Sequence, residues 1–289
     1  MRLLFEDEIG AVEQALTGAQ TRLRYYWCTH LARPSLSRSG VARWDGGHTR
    51  ADTECDGIIR ECVSSLPFAV NIVSEEGAFA DSEPAACSFL VDPLDGTHNA
   101  SAGYPMFSSC VAMHDGERYV FAWVYDMSRD ITYVAARGKG AFLKTQLTCD
   151  RLSAPAGRNV DEAAIGLLRG RGGPRQRALT QLFWSAGKVR LSSCSSLDLC
   201  HIAAGVLDAF VDLSATGHER SCDIAAAGLI LKEAGGALVR PDGSERIILA
   251  PSRSAVSDHE PLIACGSRIT AVRIMDFLNN AEADGSYAA

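Results

Sequence analysis

From residue 151 onward the chain alternates short apolar runs with longer runs of helical period, and this alternation constrains the fold most. "AAIGLL", "KVRLS", "DAFVDL" and "PLIACG" read as strands. "RQRALTQLFWSAG", "SLDLCHIAAGVL", "CDIAAAGLILKEAGG" and "ITAVRIMDFLNNA" read as the helices that follow them. The glycine pair after the third helix is a helix stop. Strands and helices in this order bury their apolar faces by stacking in layers, so the class is α/β.

The first half is built differently. Residues 6 to about 28 form an amphipathic pattern, with Ile9, Val12, Ala15, Leu16 and Leu23 at helical spacing. "ARPSLSRSGVARWDGGHTRAD" is a long polar loop. "TECDGIIRECVSSL" is a second helix, with Ile58, Ile59, Cys62 and Leu66 expected on one side. "FAVNIVSEE" and "CSFLVDPLDGT" are strands that end in acidic pairs. "SSCVAM", "YVFAWVYDM", "DITYVAAR" and "GAFLK" follow as an antiparallel meander. The expected division is an N-terminal α+β part over 1–150 and a C-terminal α/β part over 151–289.

Composition narrows the function. Hydrophobic residues make up 47% and charged residues 22% of 289, a globular balance. A net charge of −7 argues against gripping a nucleic-acid backbone by bulk charge. No run is long and apolar enough to span a membrane, and the start turns acidic too early for a secretory signal. Ten cysteines lack zinc-site or framework spacing. They read as reduced core thiols of a cytoplasmic protein.

Acidic residues gather at the ends of elements. Asp52 stands where a helix begins, and Glu75 and Glu76 end one strand. Asp92 and Asp95 end the next, and Asp223 opens an apolar helix. Singly, each has a plain explanation as a helix cap or turn residue. Together they suit a hard divalent cation, which takes oxygen ligands. In "DPLDGT", Pro93 restricts the backbone, so both Asp side chains and the Leu94 carbonyl can face one ion cluster. Gly96 permits close backbone approach, and the amides of Gly96 and Thr97 can face an anion.

These stretches resemble a known family. "VDPLDGTHNASAGYP" is similar to the first signature of the inositol monophosphatase family, and "ERSCDIAAAGLILKEAGG" to its second. "IVSEEG", "ITYVAARGKGAF" and "SSLDLCHIAAGVLDAFVDL" resemble further family segments, in the family order, from about residue 50 to the C-terminus. The resemblance implies a layered αβαβα sandwich, two or three Mg²⁺ ions per site, lithium sensitivity and a homodimer. It assigns Glu75, Asp92 and the Leu94 carbonyl to a first metal, and Asp92, Asp95 and Asp223 to a second. It pairs Thr97 with Asp52 to orient and help deprotonate the attacking water, with Glu75 assisting. Gly96 and Thr97 would hold phosphate.

On the substrate side, Ser193 and Cys194 stand where the family has Gly-Thr, and Asp212 aligns with its hydroxyl-binding carboxylate. His98 and Cys222 depart from the family pattern; His98 reads as a loop residue. The segment between Asp212 and Asp223 is longer than in animal enzymes and resembles the archaeal branch, in which inositol monophosphate and fructose 1,6-bisphosphate activities can coexist. Arg220 in that segment is suited to a second substrate anion.

The expected activity is therefore Mg²⁺-dependent hydrolysis of a small phosphorylated polyol or sugar, with no nucleic-acid or membrane partner. The same-fold alternatives are fructose-1,6-bisphosphatase and 3′-phosphoadenosine phosphatase. A non-catalytic RNA-binding module, using the basic run "RGRGGPR" at 169–175, is the alternative from another class.

Overall fold

The computed structural model describes residues 6–31, 50–77, 85–168, 175–213 and 219–283. Most of the predicted polar loop, most of the basic run, and residues 214–218 before Asp223 lie outside them. Seven α-helices are present among the described residues: α1 (Glu6–Tyr26), α2 (Arg50–Ser64), α3 (Thr97–Ala102), α4 (Gln176–Ser185), α5 (Ser195–Ala203), α6 (Ser221–Glu233) and α7 (Arg268–Ala283). A π-helical turn, Trp27–Leu31, continues α1.

One sheet has seven strands in chain order: β1 (Val70–Ser74), β2 (Cys87–Asp95), β3 (Ser108–His114), β4 (Tyr119–Asp126), β5 (Ile131–Ala136), β6 (Gly140–Lys144) and β7 (Cys149–Arg151). Only β1 and β2 pair in parallel; the rest form the predicted meander, which β7 extends. The second sheet uses β8 (Ala164–Leu167), β9 (Lys188–Arg190), β10 (Ala209–Asp212), β11 (Ala237–Val239) and β12 (Leu262–Cys265), in the order β11-β12-β10-β8-β9. Its mixed character comes from β12, which runs antiparallel to both neighbours.

Strand alternation sorts side chains into three cores. On β2, Phe89 and Val91 join Leu16 and Leu23 of α1 and Ile59 and Val63 of α2. Leu90, between them, points the other way and joins Leu197 of α5 and Ile230 of α6. Phe210 and Leu262 of the second sheet meet the same central helices. Val211 and Ile263 instead face Leu182 of α4 and Ile274 of α7. Five layers result, α1/α2, sheet, α5/α6, sheet, α4/α7, the expected αβαβα sandwich. The middle position explains why α6 is apolar all round: every residue from Ser221 to Leu231 is buried.

Local readings change in three places. The packed side of α2 carries Ala51, Asp52, Cys55, Asp56, Ile59 and Val63, while Ile58 and Cys62 are only half-buried. Asp52 sits inside this helix rather than in a loop before it. The turn after "DPLD" continues into α3, a helix too short for periodicity to reveal.

Candidate active site

Parallel pairing of β1 with β2 sets Ser74 beside Val91, so both strands end together at the edge of the central helical layer. Glu75 follows β1 directly, its amide donating to the Val91 carbonyl at 3.1 Å. Asp92 is buried on the α5/α6 side of β2. Beyond it the ladder with β3 slips, because Pro93 has no N–H to donate. The Leu94 amide turns back to Asp92 Oδ1 at 3.1 Å, and Ser109 Oγ donates to the Pro93 carbonyl at 2.6 Å. The kinked strand thereby presents Asp92, Leu94 and Asp95 to a single cavity.

Gly96 makes the next turn possible. Its φ is +83°, and a Cβ there would lie 2.8 Å from the Met106 carbonyl oxygen. Thr97 then opens α3, and its hydroxyl lies 2.8 Å from Asp52 Oδ1 and 3.0 Å from the Leu94 carbonyl. Asn99 of α3 donates Nδ2 to the carbonyls of Met106 and Ser192, both at 2.7 Å, tying this turn to the segment before α5.

Asp223 arrives from the opposite side, in the first turn of α6, with Oδ2 accepting the Arg220 amide at 2.8 Å. One ligand atom each of Glu75, Asp92 and Asp223 all lie within 4.8 Å of one another. Burial, then the charges of Glu75, Asp95 and Asp223, push the Asp92 carboxyl well above the usual range, with Arg220 opposing. Burial likewise raises Asp95, to about 6, against the hydrogen bonds from Ser196. A site that disfavours its own carboxylate charges is one that a divalent cation would relieve, and oxygen donors at this spacing fit a hard ion such as Mg²⁺.

The cavity over these residues measures about 220 Å³ and is lined by Glu75, Asp95, Thr97, Ser193, Glu219 and Arg220, among others. Cavities of about 420 and 460 Å³ lie beside α1 and beside β8 and β9. Among the described residues, neither gathers three mutually close metal-ligating atoms.

Three predicted substrate contacts are corrected. Cys194 is buried, and its thiol donates to Asp95 Oδ2 at 3.2 Å instead of facing the cavity. Asp212 is wholly buried at the end of β10 and does not line the cavity. Arg220 does line it, but its guanidinium spans Glu75 Oε1 at 2.6 Å and Asp223 Oδ1 at 2.8 Å, so it faces carboxylates rather than open space for an anion. In each case burial and charge partners decided, and neither is visible in residue order.

Two residues escaped the sequence reading. Ser196, at the start of α5, gives Asp95 Oδ2 both its hydroxyl and its amide, the latter at 2.8 Å. Glu219 enters the cavity with a buried Oε2 that has no hydrogen-bond partner among the described residues, and burial pushes its carboxyl well up. The "SS" after Cys194 and the Glu beside Arg220 were the signals available.

The chain is similar to known proteins. The inositol monophosphatase family model matches residues 32–270. Inositol-1-monophosphatase of Rhizobium meliloti is 33% identical over 218 residues, covering 73% of this chain and 78% of that protein. A fructose-1,6-bisphosphatase/inositol-1-monophosphatase of Thermococcus kodakarensis is 32% identical over 180 residues, covering 62% and 65%. The crystal structure of the extragenic suppressor protein suhB from Bartonella henselae shares the fold, with a TM-score of 0.76 at 23% identity over 93% of this chain and 97% of that one. Signatures, layered fold and carboxylate cluster agree with that match, and the chain belongs to the inositol monophosphatase family.

Proposed function

We propose that the chain is a Mg²⁺-dependent phosphomonoester hydrolase acting on inositol monophosphate or another small polyol or sugar monophosphate. The observation that carries this reading is the meeting of Glu75, Asp92 and Asp223 within 4.8 Å beside the Thr97–Asp52 pair. Glu75, Asp92, Asp223, Asp95 Oδ1 and the Leu94 carbonyl would hold the ions. Bound there, Mg²⁺ would polarise a phosphoryl oxygen and make a water acidic enough to attack at neutral pH.

The protein's own residues supply the rest. Asp52 holds the Thr97 hydroxyl, which in turn orients the attacking water and passes its proton toward Asp52. The Gly96 and Thr97 amides, at the start of α3, receive the phosphate. Ser196 and Cys194 occupy Asp95 Oδ2, so Oδ1 is the oxygen that would serve an ion in the cavity Asp95 lines. Glu219 takes the hydroxyl-reading role first given to Asp212, since its buried Oε2 needs a partner that a substrate hydroxyl can be.

Cavity size supports a small substrate. The cavity of about 220 Å³ admits a small phosphate ester. Arg220, on which the bisphosphate alternative rested, is engaged here with Glu75 and Asp223. The RNA-binding alternative rested on a run lying mostly outside the described residues.

A panel of phosphate esters, scored by phosphate released with Mg²⁺ and with chelator, tests the reading. Inositol 1-phosphate should be hydrolysed only with the metal, and Asp92→Asn should cost two decades or more of kcat/KM. Near-wild-type turnover by Asp92→Asn would remove the metal assignment. Glu219→Gln should raise KM for inositol 1-phosphate about tenfold and spare simple aryl phosphates; equal effects on both would remove its hydroxyl role.

A further inference from the structure

We propose that Arg220 is a resident counter-cation of the carboxylate cluster, which an incoming divalent ion must displace, so that the chain sets its own threshold for metal binding. The inference rests on the metal-site reading above and concerns how that site is regulated.

The guanidinium engages the same groups that would ligate the ion. Nη2 lies 2.6 Å from Glu75 Oε1 and 2.8 Å from Asp223 Oδ1, and Nε lies 3.1 Å from Asp223 Oδ2. Both oxygens of Asp223 and one of Glu75 therefore already carry a cation's hydrogen bonds. These two carboxylates belong, with Asp92, to the group whose ligand atoms converge within 4.8 Å. Among the described residues lining the cavity, Arg220 is the one cationic side chain, against the carboxylates of Glu75, Asp92, Asp95, Glu219 and Asp223.

Guanidinium and metal ion cannot share these oxygens on equal terms. A guanidinium has N–H donors and no lone pair, so it cannot join a coordination shell. It also keeps its charge at any ordinary pH, so it can be removed only by moving. Beside a divalent ion it is a like charge in a partly desolvated site, where repulsion is far stronger than in water. An ion entering between Glu75 and Asp223 therefore drives it out.

The chain is arranged for that exit. The Arg220 side chain is 21% exposed, so the guanidinium has a path toward the cavity mouth. Asp223 does not depend on it for orientation, because the Arg220 backbone amide, which stays when the side chain swings, donates to Asp223 Oδ2 at 2.8 Å. The side chain thus neutralises the cluster in the metal-free protein, while the backbone bond keeps the ligand aimed. A residue that merely positioned ligands would make the opposite prediction: its loss would weaken metal binding.

The test titrates chelator-stripped full-length protein with MgCl₂ by calorimetry and measures Tm with and without Mg²⁺. Arg220→Gln, which keeps a polar side chain and drops the charge, should bind Mg²⁺ about five- to tenfold more tightly than wild type. Its metal-free Tm should fall and its Mg²⁺-induced rise in Tm should grow. Arg220→Lys, which keeps the charge but loses the fork, should lie between the two. Mg²⁺ binding by Arg220→Gln or Arg220→Lys that equals or is weaker than wild type overturns the proposal and makes Arg220 a positioning residue. Absence of binding in wild type and both variants overturns the metal-site reading, and this inference with it. Binding that appears only when the charge is removed is the strongest result in favour.

Discussion

Thr97 has one hydroxyl proton and two acceptors within reach, Asp52 Oδ1 at 2.8 Å and the Leu94 carbonyl at 3.0 Å. It can serve only one at a time, and in the proposed mechanism the proton route through it ends at the Asp52 carboxylate. Thr97→Ala should therefore lower kcat by about 10²–10⁴ with little change in KM, and Thr97→Ser should recover most of it. Steady-state kinetics at saturating Mg²⁺ check this; a pure KM effect would assign Thr97 to binding alone. Gly96 makes a steric demand instead. At φ +83°, a methyl group on its Cα would sit 2.8 Å from the Met106 carbonyl oxygen and 3.2 Å from Phe107 Cα, so Gly96→Ala must strain the turn that aims Asp95 and Thr97. A loss of about 1–3 kcal/mol in urea unfolding is expected. Both residues stood out in the sequence, because a turn glycine and a hydroxyl after paired carboxylates have few other uses. Cys194 and Asp212 fitted a substrate contact by type and place along the chain, but packing buries both.

Helix α5 shows what an element adds. Its first turn delivers the Ser196 amide and hydroxyl to Asp95, and Asp198, two residues on, lies buried in the same helix. Burial pushes the Asp198 carboxyl up to about 7, against the hydrogen bond from Ser192 Oγ. A carboxyl raised on folding contributes its full stability only below the unfolded value, near 3.8. Between about pH 4 and 7 the unfolded chain ionises while the folded chain does not, so stability falls as pH rises and levels off above 7. For this group the fall is about 4 kcal/mol. Urea unfolding from pH 4 to 8 should show Asp198→Asn gaining on wild type across that window, and a difference constant with pH would refute it. Periodicity located α5 and α6 well but could not say which polar residues on them would be buried. That depends on α5 and α6 being covered by a sheet on each side.

At the scale of the molecule, the site is a seam. Glu75, Asp92, Asp95 and Thr97 come from the end of the seven-stranded sheet, while Ser193, Glu219 and Asp223 come from the second half of the chain. On the proposed reading ions at the seam would bind the folded state only, so Mg²⁺ at about a hundred times its Kd should stabilise the protein by about 2.7 kcal/mol. Thermal unfolding with Mg²⁺ against chelator measures this, and no shift at saturating Mg²⁺ would contradict it. The ten cysteines are all free in the structure, and seven of them are buried. Thiol titration of denatured, unreduced protein should find ten; a deficit of two would reveal a disulfide. None of the helices among the described residues is long and apolar enough to cross a membrane.

The longer strands and helices, the layered class and the carboxylates of "DPLDGT" were legible in the sequence alone, because they follow from short-range periodicity and from residues adjacent in the chain; the short β7, β11 and α3 were not. Contacts between distant segments were not. Arg220 and Glu75 are 145 positions apart, and only the stacking of α6 against the first sheet brings the guanidinium onto the carboxylate at 2.6 Å. Read along the chain, Arg220 looked like a cation waiting for a substrate anion. In the fold its anions are already in place, because a buried charge takes the nearest opposite charge and burial is a property of the packed whole.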